Sequence, residues 1–223
     1  MHAYFTETLC QWFPGSPVIH LVRDPRDVVA SLERMSWAPK SIVNNTMFWV
    51  RFNRAAEKSQ HRPEYLRVYY EQLVANPERE LVRICAHIGE DYSDTLLAAD
   101  SSEPYSWPRS ASGAVTQERL GKWREQLAPD DVAVVDWIAG ARLQAYGYSP
   151  GASSVSIAAA TRAMIQAGVD LARRRLDQFP YKWVCWTQPT NLAAQEYCTY
   201  RDRWDAMFPG LQPLHARRDG VRR

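Results

Sequence analysis

An α/β domain with a parallel sheet is the fold that this 223-residue sequence predicts. Three observations carry the prediction. Val18-Ile19-His20-Leu21-Val22 is a short β-branched apolar run with a proline–glycine turn before it and a charged turn after it, the pattern of a buried parallel strand. Leu66-Arg67-Val68-Tyr69-Tyr70 repeats that β-rich character. Each run is followed by a helix-start signal and apolar residues at helical spacing, so strand, helix, strand and helix alternate.

In chain order, residues 3–13 read as a short amphipathic helix with Tyr4, Phe5, Leu9, Trp12 and Phe13 apolar, and Pro14-Gly15-Ser16-Pro17 breaks it. The first strand runs into Arg23-Asp24-Pro25-Arg26-Asp27, in which four of five residues are charged. Asp24 or Asp27 can cap the following helix, expected from about Asp27 to Arg34, and Pro25 suits its first turn. Ile42 to about Ser59 is a second long helix with Val43, Met47 and Val50 on one face and Phe48, Trp49 and Phe52 widening it. After the second strand, Asn76-Pro77 opens a helix through Ile88 that Gly89 closes. A polar stretch follows from Asp91 to Val115, then Lys122 and Trp123, then a helix of roughly 130–146 ending at Gly147. Beyond it, Ser153 to Phe179 and Asn191 to Phe208 read as helices, with the aromatic Tyr181-Lys182-Trp183-Val184-Cys185-Trp186 between them.

Composition narrows the class. With 46% hydrophobic and 23% charged residues the chain is globular, and no run approaches the ~20 apolar residues of a membrane helix, so no integral membrane segment is expected. The N-terminus lacks the basic-then-apolar order of a signal peptide, which leads to the expectation of a cytoplasmic protein. Cys10, Cys85, Cys185 and Cys198 are scattered, with neither a CxxC pair nor metal-ligand spacing, and are expected as reduced thiols. Residues 1–149 hold 16 Lys+Arg against 19 Asp+Glu, and residues 150–223 hold 11 against 6. That asymmetry marks a boundary at Ser149-Pro150-Gly151, dividing a domain of residues 1–149 from an extension of residues 150–223 that is mainly α-helical. The basic end, Arg217-Arg218 and Arg222-Arg223, reads as solvated; no nucleic-acid partner is expected.

The charged turn is the strongest chemical signal. Ligands of open parallel sheets bind beyond the carboxyl ends of the strands. Arg23 sits there, and Ser31 lies eight residues on, two helical turns along. An arginine fork, a hydroxyl and a helix N-terminus together suit a phosphate. A surface turn whose Asp and Arg residues pair with each other fits the same letters, and the residues alone leave the two readings open.

The stretch VIHLVRDPRDVVASL resembles the 3′-phosphate-binding segment of the sulfotransferase family, which uses 3′-phosphoadenosine 5′-phosphosulfate as donor. The resemblance places Arg23 and Ser31 on the donor's 3′-phosphate. Three further stretches follow in the family's order: Arg67 to Leu73 with Asn76-Pro77, Leu120-Gly121-Lys122-Trp123-Arg124, and Leu143 to Tyr148. By the same resemblance Tyr70 lies near the nucleotide, and Lys122 and Trp123 belong to a segment that closes over the phosphate. Together the stretches cover about residues 2–149. The implied fold is a P-loop NTPase-like three-layer sandwich with a parallel sheet, and the implied activity is transfer of a sulfuryl group to a hydroxyl or amine of a small molecule, lipid or glycan. No metal is implied.

One family feature has no counterpart. The glycine-rich loop that cradles the 5′-phosphosulfate, after a first strand, is absent from all 223 residues. Met1-His2-Ala3-Tyr4-Phe5 resembles the segment that follows it, so the domain is expected to be N-terminally incomplete, with His2 the position matching a family histidine and a candidate catalytic base. The alternative is a catalytically inactive family member that serves as a nucleotide-binding or interaction module. His20 is expected to be a structural histidine, and His61 and His87 to be solvated. Trp37 and Trp49 line an acceptor pocket or pack the core, and Arg109 and Ser110 are candidate nucleotide contacts.

Overall fold

The computed structural model describes residues 2–35, 38–97 and 117–187, with side chains from Ala3 through Arg173 and at Arg175. Trp37, Arg109, Ser110, Cys198 and the helix expected over 191–208 lie outside the described residues, as do the side chains of His2 and Cys185. The chain divides into two compact units: Met1–Asp27 with Val50–Lys122, and Val28–Trp49 with Trp123–Arg223.

The first unit holds a parallel pair of strands, β1 (Val18–Val22) and β2 (Tyr65–Tyr69), in register from Val18 opposite Tyr65 to Val22 opposite Tyr69. This is the parallel α/β arrangement expected. β1 buries His20 and Val22 and leaves Ile19 and Leu21 exposed, so one face of the strand is covered where the apolar run had suggested two. Ahead of β1 comes α1 (Thr6–Trp12), preceded by a single 3₁₀ turn. α2 (Pro25–Arg34) starts two residues earlier than expected, because proline's fixed φ fits the first helical position and Asp24 supplies the cap. α3 (Ile42–Glu57) spans the two units.

β2 passes directly into α4 (Tyr70–Ala75), a helix that the alternating reading did not anticipate. It is six residues long and has one buried residue, Val74, too little periodicity to read from letters. Asn76 ends it, since the residue before a proline avoids the helical region, and Pro77 opens α5 (Pro77–Ile88). Gly89 closes α5 in the left-handed region at φ 80°, as expected. Cys10 and Cys85 are buried free thiols.

The second unit is helical. α6 (Trp123–Gln126) and α7 (Pro129–Ala145) precede α8 (Ile157–Thr187). Val29, Ile42, Val43, Trp123, Leu127 and Val134 pack into one apolar core with Ala159, Ala163 and Ala167 of α8. α7 is interrupted at Gly140, whose φ of 46° and ψ of −127° leave the helical region. The chain after α7 is tied back by Asp136, whose carboxylate accepts the backbone N–H groups of Gly151 and Ala152 at 2.6 and 2.9 Å. The compositional boundary at residues 149–154 is therefore pinned to a buried acid. No helix among the described residues is long and apolar enough to cross a membrane.

Candidate functional site

The charged turn leaves the carboxyl end of β1, and its charges separate into a structural pair and an outward-facing arginine. Asp24 is buried and caps α2: its Oδ1 accepts the Arg26 backbone N–H at 2.9 Å. The same carboxylate takes the Arg26 side chain in a fork, Nε at 2.9 Å and Nη2 at 2.7 Å. Arg26 is buried too, so its charge is neutralised inside the fold. The Asp24 backbone N–H donates to Glu71 Oε1 at 2.9 Å, which ties the turn to the start of α4.

Arg23 is placed differently. Its Nη2 donates to the Arg119 carbonyl at 2.8 Å and lies 3.7 Å from Asp27 Oδ2, and its guanidinium stands 4.5 Å from the centre of the Tyr70 ring. The side chain keeps 22% of its surface exposed, against 2% for Asp27. Asp27 also accepts the Gly121 backbone N–H at 2.9 Å. One carboxylate thus holds both Arg23 and the segment carrying Lys122, drawing together residues nearly a hundred positions apart.

Of the residues expected at a nucleotide site, the first unit brings Arg23 and Tyr70 into contact and holds the backbone beside Lys122 near them. Ser31 lies on α2, partly exposed. Trp123 lies in the apolar core of the second unit, 7% exposed, with the Arg124 guanidinium 4.4 Å from its ring centre. Trp49 is buried and packs edge-on against Tyr146 at 5.7 Å, the core role weighed for it. Sequence reasoning offered Asp27 only as a possible helix cap and gave no role to Glu71 or Arg119. Asp27 carried a legible signal, an acid four residues after Arg23; the other two act through contacts between distant segments. No cluster of three or more metal-binding side chains occurs among the described residues.

His20 is structural, as expected. Its Nε2–H donates to Asn53 Oδ1 at 2.9 Å, and Nδ1 pairs with the Tyr65 hydroxyl at 2.5 Å, which donates to it when the ring is neutral. Burial, aided by Arg67, pushes its pKa below the ordinary 6.5, against the smaller upward pull of Asn53 and Glu57. The unfolded chain therefore binds more protons than the folded one once the pH falls below about 6.5. Stability from this group is fully present above that pH and is lost as the pH falls through the lower, folded-state pKa. Denaturant midpoints measured from pH 7.5 to pH 5 are expected to fall with acidification, and His20→Gln to flatten that part of the slope.

A model of the "Sulfotransferase family" matches residues 1–94. The chain carries a sulfotransferase-family region. The segment includes the charged turn, β2 and α4. A Caenorhabditis briggsae protein named "Putative protein-tyrosine sulfotransferase" is 23% identical over 166 residues, covering 68% of this chain and 59% of that protein. Among solved structures, the sulfotransferase domain from the Synechococcus PCC 7002 olefin synthase aligns at TM-score 0.41 and 26% identity over 55% of this chain and 49% of that one. The sulfotransferase domain from the curacin biosynthetic pathway aligns at TM-score 0.47 and 18% identity over 66% and 60%. The chain spans about three fifths of the length of the curated relative.

Proposed function

We propose that the charged turn is the 3′-phosphate site of a sulfotransferase that takes 3′-phosphoadenosine 5′-phosphosulfate as donor and a hydroxyl, or an amine, as acceptor. One observation carries the reading. At the carboxyl end of a parallel strand, within the sulfotransferase-family region, Arg23 is oriented by a carbonyl, a carboxylate and an aromatic ring while its side chain stays partly exposed. An arginine prepared in this way loses little further freedom on meeting a phosphate.

In this reading Arg23 presents its planar donors to the 3′-phosphate, Ser31 adds a hydroxyl, Tyr70 keeps the guanidinium flat, and Lys122 brings a second cation. The donor supplies the sulfuryl group. The chain positions donor and acceptor, offsets negative charge, and removes the acceptor proton through a base, for which His2 is the matching position. The acceptor is a small molecule, lipid or glycan bearing a hydroxyl; the name of the C. briggsae relative adds a tyrosine phenol to the same class. A second reading, nucleotide binding without turnover, applies to these 223 residues taken by themselves, which hold no glycine-rich phosphosulfate loop.

Calorimetric titration with 3′-phosphoadenosine 5′-phosphate tests the site. Saturable binding in the micromolar range is expected, weakened about tenfold or more by Arg23→Ala and by omitting the 3′-phosphate from the ligand, a difference of about 1.4 kcal/mol or more. A folded chain that does not bind, or that binds equally well without Arg23, overturns the proposal. Transfer of labelled sulfate to a phenol then separates turnover from binding alone.

A further inference from the structure

α8 is apolar on two opposite faces. One is buried: Ala159, Ala163 and Ala167 enter the core of the second unit, and Asp170 on the same side accepts hydrogen bonds from Asn44 and Lys40. The other face carries Ile157, Met164, Ile165 and Leu171, which are 87%, 54%, 63% and 42% exposed. Between Ile157 and Ala172 the charged residues are Asp170, on the buried side, and Arg162, on the flank and paired with Asp130 at 2.7 Å. A surface helix ordinarily turns a charged face to water, opposite its core stripe, and a helix apolar all round is covered on both sides. Covering these four side chains removes on the order of 500 Å² of surface from each copy of a symmetric pair, reaching the roughly 1,000 Å² total at which specific interfaces begin.

We infer that this face of α8 is a dimer interface, in which α8 lies antiparallel to α8 of a second copy of this chain across a two-fold axis. An axis between positions 164 and 165 sets Ile157 against Ala172, Thr161 against Gly168, and Met164 against Ile165. Bulk then meets a small residue on either side of the centre, which lets the two helices approach closely. The same register carries Arg173 and Arg175 beyond Ile157, the first residue of α8 in the other copy, and sets Arg162 against Ala167, so no like charges oppose within the paired helices. A lipid surface suits the face less well. Helices lying on membranes flank their apolar side with free cations along its length; here Arg162 is paired with Asp130, and the exposed Arg173 and Arg175 stand only beyond the C-terminal end of the face.

Sedimentation velocity of the full chain from about 1 to about 100 µM reads the association directly. A dimer is expected for the parent chain and a monomer for Ile165→Glu. Gly168→Leu is the sharper variant. No atom lies within 4 Å of a side-chain carbon added there, and leucine favours the helix and makes the face more apolar. Non-specific stickiness or lipid binding would therefore increase, whereas close crossing predicts at least tenfold weaker dimerisation. Dimerisation that Gly168→Leu leaves unchanged or strengthens overturns the inference. So does a parent chain that stays monomeric throughout, and a monomer that floats with anionic vesicles would assign the face to lipid instead.

Discussion

Replacing Asp24 with alanine is expected to cost the folded chain about 3–5 kcal/mol, read as a lower denaturant midpoint at constant slope. The size follows from what remains after the change. Arg26 keeps a guanidinium that is buried and has lost both arms of its fork, and α2 loses the side chain that caps its second N–H. A buried ion pair adds modest net stability while intact, because bringing both charges out of water offsets most of their attraction; a buried charge that loses its carboxylate keeps the desolvation cost without that attraction. The double variant Asp24→Leu/Arg26→Met removes both charges and is expected to recover most of the loss, short of about 1 kcal/mol for the missing cap. A single variant as stable as the parent would show that the fork contributes nothing.

Trp123→Ala is the second large effect, expected to destabilise the chain by about 3–5 kcal/mol through the cavity that it leaves, with Trp123→Phe costing distinctly less. The ring lies in the core with Val29, Ile42, Leu127 and Val134, and alanine cannot refill that volume. The same residue separates packing from binding. If the indole acts only in the core, folded Trp123→Phe binds 3′-phosphoadenosine 5′-phosphate as tightly as the parent. Stability that is unchanged in Trp123→Ala, together with lost nucleotide affinity, would place the indole on the ligand.

Much of the framework is legible in the letters. The β-branched run of β1, Pro25 opening α2, Pro77 opening α5 and Gly89 closing it are local rules of backbone conformation, and such rules need only near neighbours. α4 escaped because six residues with one buried side chain leave no periodicity to count. The exposed Ile19 and Leu21 escaped for a different reason: an apolar run reports that a strand can be buried on both faces, not that both faces are covered.

At the candidate site the division is sharper. The sequence alone determined that Arg23 follows a strand, that Asp24 can cap a helix, and that the order of four stretches resembles sulfotransferases. Which arginine faces outward was a tertiary decision. Arg26 is closed on Asp24 within one helical turn, while Arg23 meets Tyr70, Arg119 and, through Asp27, the Gly121 segment. Two arginines three positions apart carry the same charge and the same donors in the one-dimensional string. Only folding, which brings residues 70 and 119 to one of them and a buried carboxylate to the other, closes one inside the fold and leaves the other partly exposed at the end of β1.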